Sequence, residues 1–153
     1  MFSYPSFNKA ISTAIVIAAG AVWLPSFAQS GQSAKRAELQ WDMLAKATAT
    51  AKSGAIEVTY PAPLVQQNGK QVTITGFMVP LEAKTLQSRY LLTQKPQDCE
   101  FCIEGGPTSY IDVHGTPVKF SLQPMTLVGR LELLQKDPHG MYYRLTEAKQ
   151  EKK

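Results

Sequence analysis

The change to a two-residue period at Gln71 is the feature that most constrains the fold of this chain. From Gln71 to Val79 the sequence QVTITGFMV alternates β-branched and polar residues, which is typical of a half-buried strand. Pro80 then ends the run, because proline cannot donate a hydrogen bond to a central ladder. Gly76 within the run predicts a bulge or a bend, as at the corner of a barrel.

Further segments with strand character follow at 88–93, 109–113, 118–122, 125–134 and 141–146. In the segment 125–134, Met125, Leu127, Leu131 and Leu133 fall on one face with Gly129 between them, which predicts the side that is buried. Short strands with glycines inside two of the longer ones favour a mainly β fold. We expect a small, partly closed OB-like barrel of five or six strands.

One amphipathic helix is predicted before the strands. From Ser33, a plausible N-cap, small and apolar residues recur at spacings of three and four until Gly54. Trp41 lies on this stripe and is predicted to anchor the helix in the core. The segment 55–70 contains Asn68-Gly69 and two prolines, which predicts a connecting loop that ends in a tight turn.

The first residues have the pattern of a cleaved signal peptide. Lys9 precedes a small and apolar run from Ala10 to Leu24, and Ser26 and Ala28 provide the small residues that a signal peptidase reads. The run is too short to span a bilayer comfortably, so we expect cleavage after Ala28 and no stable membrane span afterwards. An uncleaved anchor is the alternative. The chain is therefore expected in the periplasm, where disulfides persist.

Four parts of the chain are predicted on this basis. They are a signal peptide (1–28), a polar leader and N-terminal helix (29–54), an OB-like β domain (55–148) and a charged tail (149–153). The 125 residues after the cleavage site are enough for one modest core and too few for two. The formal net charge is +4, and its Lys and Arg residues are scattered among acids, so nucleic acid is not an expected partner.

Both cysteines of the chain lie in the segment 98–107, DCEFCIEGGP. A redox dithiol needs its first cysteine at a helix N-terminus, where the thiol pKa is lowered. The residues after Cys102 include Gly105-Gly106-Pro107 and cannot start a stable helix. Glu100 and Glu104 would raise the thiol pKa by repulsion. These features disfavour a periplasmic thiol-disulfide oxidoreductase that uses Cys99 and Cys102, which is the alternative function.

A metal site and a structural disulfide are the other two interpretations of the cysteine pair. Two thiolates do not complete a tetrahedral zinc shell, but Glu104 or Asp98 could add an oxygen. His114 could add a nitrogen if the loop folds back, although a turn residue before Gly115 is the simpler interpretation of this histidine. A disulfide between Cys99 and Cys102 would pin the loop, and closing so short a loop would add about 2 kcal/mol or less.

A series of short motifs occurs along the chain in a fixed order: WDML (41–44), VTITGFMVPL (72–81), RYLL (89–92), the cysteine pair, Pro107, VGRL (128–131) and YYRL (142–145). In this order they resemble a family of small exported bacterial proteins classed only as a domain of unknown function. The most specific element is GFMVPL, which contains Phe77 and Pro80, followed by a strand and a cysteine. The resemblance covers residues 41–148.

The resemblance implies an exported, β-rich, OB-like domain, sometimes encoded beside ABC-type transporter components linked to metal supply. It implies no catalytic residues, and Cys99 and Pro107 are the positions that match best. The sequence also has no nucleophile elbow and no phosphate-binding loop. We therefore expect a periplasmic binding or accessory protein, not an enzyme, whose partner is a metal ion such as zinc or a cell-envelope transport-complex protein.

Overall fold

The computed structural model describes residues 36–52, 55–97 and 105–151. Within these ranges the strands and helices, in chain order, are β1 (Ala37–Glu38), α1 (Trp41–Leu44), β2 (Thr48–Lys52), β3 (Ala55–Thr59), α2 (Ala62–Val65), β4 (Gln71–Pro80), β5 (Leu86–Thr93), β6 (Tyr110–Lys119), β7 (Met125–Leu133) and β8 (Tyr143–Gln150). The predicted mainly β class is confirmed.

Five strands form a closed barrel in the order β4-β5-β6-β8-β7, and β7 pairs with β4 to close the ring. All neighbours are antiparallel except β6 and β8, which run parallel. This order and this parallel pair give a five-stranded Greek-key barrel of the OB type. The predicted barrel architecture is therefore confirmed, and β1 adds a short parallel strand beside the first half of β4.

Strand β4 closes the barrel because it pairs with two neighbouring strands, β7 and β5. Its residues from Gln71 to Gly76 pair with β7, and those from Phe77 to Pro80 pair with β5. A Cβ atom at Gly76 would lie 2.5 Å from the carbonyl oxygen of Thr93 and 2.9 Å from Cγ of Leu92. Glycine is therefore needed where the strand passes from one neighbour to the other, because the backbone of β5 approaches too closely for a side chain.

The core fills the barrel, and burial alternates along most of β4 and β7, whereas β5 buries consecutive residues from Tyr90 to Thr93. In β4, Val72, Ile74 and Met78 are buried, and in β7, Met125, Leu127 and Leu131 are buried with Gly129 between them. The predicted buried face of the segment 125–134 is confirmed, with Leu133 partly buried at its end. The period of two holds in β4 and β7 because each has one face toward the core and one toward the outside.

The single helix predicted from Ser33 to Gly54 is wrong. The described part of this segment forms β1, the four-residue helix α1 and β2. Leu39 and Ala47 are buried, although neither lies on the predicted stripe, which runs through Ala37, Trp41, Leu44, Thr48 and Ala51. The sequence TATAK of β2 alternates β-branched threonine with alanine, and threonine loses side-chain freedom in a helix, so pairing with a second strand is the better solution.

The connecting loop predicted for 55–70 is also partly wrong. Strand β3 pairs with β2 in an antiparallel hairpin without register shifts, separate from the barrel sheet. Helix α2 follows, and the turn that includes Gly69 leads into β4 with Gly69 at φ 75°. The predicted tight turn before β4 is thus present, whereas the alternation of Ile56 and Val58 with polar residues was the strand signal that the prolines obscured.

Two predicted boundaries move in the second half of the barrel. The segments 109–113 and 118–122 were predicted as separate strands, but β6 runs continuously from Tyr110 to Lys119. Gly115 therefore lies inside a strand, where the β6–β8 register shifts between Val113 and Gly115. The charged tail predicted from 149 begins later, because β8 continues to Gln150 and pairs there with Leu127.

Candidate functional site

The cysteine loop joins the ends of β5 and β6. Cys99, Cys102 and Glu104 lie outside the described residues, so their predicted roles stay predictions. The described ends of the loop line a cavity of about 250 Å³, bounded by Thr93, Gln94, Lys95, Gln97, Gly105 and Ser109. These described ends adjoin the second and third strands of the barrel, β5 and β6, whose outer face is the usual ligand face of OB barrels.

His114 lies within β6 and not in a turn. It is four residues beyond Tyr110, the first residue of the strand, which corresponds to about 13 Å along the sheet. Its Nε2 atom is 2.9 Å from Oδ2 of Asp112. The turn interpretation of His114 is therefore wrong, and the histidine is hydrogen-bonded on the outer face of the barrel.

Asp112 is the centre of a polar cluster on this outer face. Its carboxylate is fully buried, at 0% exposure, although its neighbours Ile111 and Val113 point into the core. Arg89 on β5 donates from Nε to Oδ1 at 3.1 Å and from Nη2 to Oδ2 at 3.4 Å. Arg144 on β8 donates from Nε to Oδ2 at 3.1 Å. Three strands are thus joined through one carboxylate.

The cluster keeps Asp112 ionised. Burial by itself raises the pKa of the carboxyl group, but hydrogen bonds from Arg89, His114 and Arg144 favour the charged form more strongly. The pKa of Asp112 therefore lies below its ordinary value. Arg89 and His114 remain partly exposed, with side-chain exposures of 46% and 39%, so a ligand on this face would meet them first.

Asp137 extends the cluster into the loop between β7 and β8. Its Oδ2 atom accepts a hydrogen bond from Nη2 of Arg144 at 3.3 Å. Its Oδ1 atom accepts hydrogen bonds from the backbone N–H groups of His139 and Met141. The side chain of Asp137 therefore accepts hydrogen bonds both from the loop 134–142 and from Arg144 on the barrel, and it holds the loop against the barrel face.

A second cavity, of about 560 Å³, lies between the hairpin and the loop 134–142. Its apolar lining comes from Ile56, Val58, Leu134, Pro138, Met141 and Tyr142. Ala49 and Ala51 pair with Val58 and Ile56 in the hairpin, so one face of the hairpin is apolar and the other carries Thr50 and Glu57. The hairpin thus turns an apolar face toward the cavity.

Tyr60 connects the hairpin to this loop. Its hydroxyl lies 2.7 Å from the carbonyl oxygen of Leu134 and 2.8 Å from that of Tyr142. Burial raises the pKa of Tyr60 to about 12, so the hydroxyl stays protonated and remains a donor at neutral pH. Its ring also packs at 5.8 Å from that of Tyr143.

Replacing Tyr60 with phenylalanine is expected to lower the free energy of unfolding by about 1 to 2 kcal/mol, because the part-buried carbonyl of Leu134 loses the hydroxyl as donor, whereas that of Tyr142 keeps the N–H of Leu134. Urea denaturation followed by circular dichroism measures this change. Tyr110→Phe is the matched control, since Tyr110 is half-buried and its hydroxyl makes no hydrogen bond to the described residues. Equal changes in the two variants would contradict the role assigned to Tyr60.

Comparisons with known proteins give one structural neighbour. No family model matches the sequence, and no curated protein is significantly similar to it. The fold is similar to that of a DUF3299 family protein from Pseudomonas aeruginosa PAO1, with 16% identity and a TM-score of 0.48, over 77% of this chain and 97% of that one. That family, too, is classed as a domain of unknown function, and the likeness assigns no ligand and no transport role.

Two features of the described residues bear on possible partners. No helix among them is long and apolar enough to cross a membrane. Within the same ranges, no group of three or more His, Cys, Asp and Glu residues could hold a metal ion. Asp112, His114 and Asp137 are occupied instead by hydrogen bonds with arginines, with one another or with the backbone.

The residues predicted to have structural roles lie mainly around β4. Trp41, in α1, is half-buried and donates from Nε1 to the carbonyl oxygen of Thr75 at 2.8 Å, beside Gly76. Phe77 pairs with Thr93, and Pro80 is the last residue of β4, opposite Tyr90.

The other two predicted structural residues lie in the second half of the chain. Pro107 is half-buried in the turn before β6. Gly129 faces β8, and a Cβ atom there would lie 2.7 Å from Cγ of Leu145.

Sequence reasoning missed Asp112, Arg89, Arg144 and Asp137 as members of one cluster. Arg89 and Arg144 lie in the motifs RYLL and YYRL, and Asp137 lies in DPHG, but none of these patterns predicts that the three residues meet. A signal was present in YIDVH, where Asp112 interrupts an apolar strand and His114 follows on the same face. The partners on β5 and β8 could not be found in this way, because they depend on the strand order.

Proposed function

We propose that this chain is an exported, periplasmic binding or accessory protein. It presents the cysteine loop and the adjoining outer face of β5 and β6 to a metal ion or to a protein of a cell-envelope transport complex. No catalytic role is proposed.

The polar cluster on the barrel is the observation that carries this proposal. Arg89 and His114 are held by a buried carboxylate, so their orientation is fixed before any ligand arrives. They lie on the face that OB barrels commonly use for ligands, and the cysteine loop connects the two strands of that face. A rigid polar surface of this kind is suited to recognition of a partner's polar groups.

Partner binding is tested by purifying the protein from the cell envelope under mild cross-linking. We expect Arg89→Gln to lose a co-purifying envelope protein that wild type retains, since Arg89 is the most exposed cation of the cluster. Lys70→Gln is the matched control, because Lys70 is an exposed cation outside the cluster. If both variants retain the same proteins as wild type, the binding face is not where we place it.

The cysteine loop is proposed to hold a structural disulfide, or zinc if the thiols are free. In the metal case Cys99, Cys102 and Glu104 would supply ligands, and His114 would offer Nδ1 while its Nε2 keeps the hydrogen bond to Asp112. A disulfide would instead fix the loop beside the binding face.

Intact-mass spectrometry with and without reductant, together with zinc analysis, distinguishes these states. We expect a mass about 2 Da below the reduced form and no stoichiometric zinc. Cys99→Ser with Cys102→Ser provides the control that lacks both. Free thiols with one zinc per chain would favour the metal site, and rapid exchange with glutathione would favour an oxidoreductase.

A further inference from the structure

The 560 Å³ cavity under the hairpin is separate from the proposed binding face and has no role in it. Ile56, on its wall, is 57% exposed, whereas its neighbour on the same hairpin face, Val58, is 5% exposed. The volume is within the range of small-molecule sites, about 300 to 1,000 Å³. An apolar wall that is open at one end and buried at the other is the form expected of a site for an apolar ligand.

Covering the apolar face of the hairpin would stabilise the hairpin. A two-stranded hairpin is marginally stable in water on its own, and this one pairs with no other strand among the described residues. It is held by Val58 in the core and by Tyr60 at its end. A ligand between Ile56 and the loop 134–142 would bury apolar surface from both sides.

The charges around the cavity favour a negative head group. The carboxylate of Asp137 is already paired, because both its oxygens accept hydrogen bonds from Arg144 or from the loop backbone. Lys136, in contrast, is exposed, lines the cavity and has no ion pair with any described residue. Its ammonium group is thus the available charge at the rim.

We propose that this cavity binds a fatty acid, with its alkyl chain between the hairpin and the loop 134–142 and its carboxylate beside Lys136. An alkyl chain has no N–H or C=O groups that need partners, so it suits walls of Ile56, Val58, Met141 and Tyr142. A peptide would bring amide groups that this lining leaves largely unpaired. This site uses neither the cysteines nor Arg89 and His114 of the proposed binding face, although Asp137 of the cluster lies in its lining, and the variants that test it leave the cluster intact.

Calorimetric titration of the purified protein with dodecanoate, below its micelle concentration, tests the site. We expect saturable binding of one molecule per chain. Lys136→Gln should weaken it up to about fivefold, the size expected for one exposed ion pair. Ile56→Gln should weaken it about tenfold through lost apolar contact. Circular dichroism verifies that each variant is folded.

Two matched controls and one matched ligand complete the design. Lys70→Gln removes an exposed cation away from the cavity, and Val65→Gln replaces an apolar residue on α2 that is 52% exposed and not in the lining. Both should bind dodecanoate as wild type does. The absence of saturable binding would overturn the proposal, as would equal weakening by the controls. Equal affinity for dodecyltrimethylammonium would overturn the role of Lys136 and with it the fatty acid.

Discussion

Replacing Asp112 with asparagine is expected to lower the free energy of unfolding by about 3 kcal/mol. Breaking a buried ion pair by removing one partner typically costs about 3 to 5 kcal/mol. The lower end applies here, because Arg89 and Arg144 keep some access to water and can be partly solvated once the carboxylate is gone. Urea denaturation at pH 7 followed by circular dichroism measures the change.

The same variant has a characteristic dependence on pH. Because the pKa of Asp112 is lowered in the folded protein, its stabilising contribution is present in full above the unfolded pKa of about 4. It is lost as the pH falls through the lower pKa of the folded state. The difference in unfolding free energy between wild type and Asp112→Asn should therefore shrink as the pH falls below about 4.

Glu147→Gln is the matched control for this experiment. Glu147 also pairs with an arginine, Arg130, but at 3.5 Å and with both side chains largely exposed. An exposed pair contributes about 1 kcal/mol or less, so this variant should lose correspondingly little stability. An equal loss of unfolding free energy in both variants would contradict the claim that burial makes the ion pairs of Asp112 more stabilising than an exposed pair.

Replacing Gly115 with alanine is expected to destabilise the protein by about 3 kcal/mol, at the upper end of the usual cost of overpacking. A Cβ atom at this position would lie 2.1 Å from the carbonyl oxygen of Ala148 and 2.7 Å from its carbonyl carbon. These are backbone atoms of β8, so no side-chain rotation relieves the clash. The parallel pair β6–β8 would have to separate, and the outer-face cluster that spans it would be disturbed.

Gly106→Ala is the corresponding control. Gly106 lies in the turn before β6, and an added Cβ atom there meets nothing within 4 Å. Its substitution should be neutral or slightly stabilising, since alanine has fewer conformations to lose on folding. Denaturation of the two variants side by side measures the contrast, and an equally small effect at Gly115 would mean that the strands do not approach as closely as described.

The barrel was predictable because its signals are local. Strands β4 and β7 have a clear two-residue period, and Gly76 and Gly129 interrupt them where the backbone of a neighbour comes close. The N-terminal part was not predictable in the same way. Alanine fits a helix and a strand alike, so the spacing of alanines from 34 to 51 suggested a stripe that threonines at 48 and 50 contradicted.

The candidate site was less predictable than the fold. The sequence indicates Asp112 and His114 as two polar residues on one strand face, but it cannot show that Arg89, 23 residues earlier, and Arg144, 32 residues later, meet them. Arg89 is brought there by the antiparallel pairing of β5 with β6, and Arg144 by the parallel placement of β8 beside β6. The sequence analysis also placed the candidate site at Cys99 and Cys102, which lie outside the described residues.

The position of the last strand has a consequence for the order of events during synthesis. Strand β8 lies between β6 and β7, so the ring has a gap until residues 143–150 have been made. Pairing of this long-range kind is slow, commonly milliseconds to seconds. A chain that is exported as we propose can close its barrel only where all five strands are on the same side of the membrane.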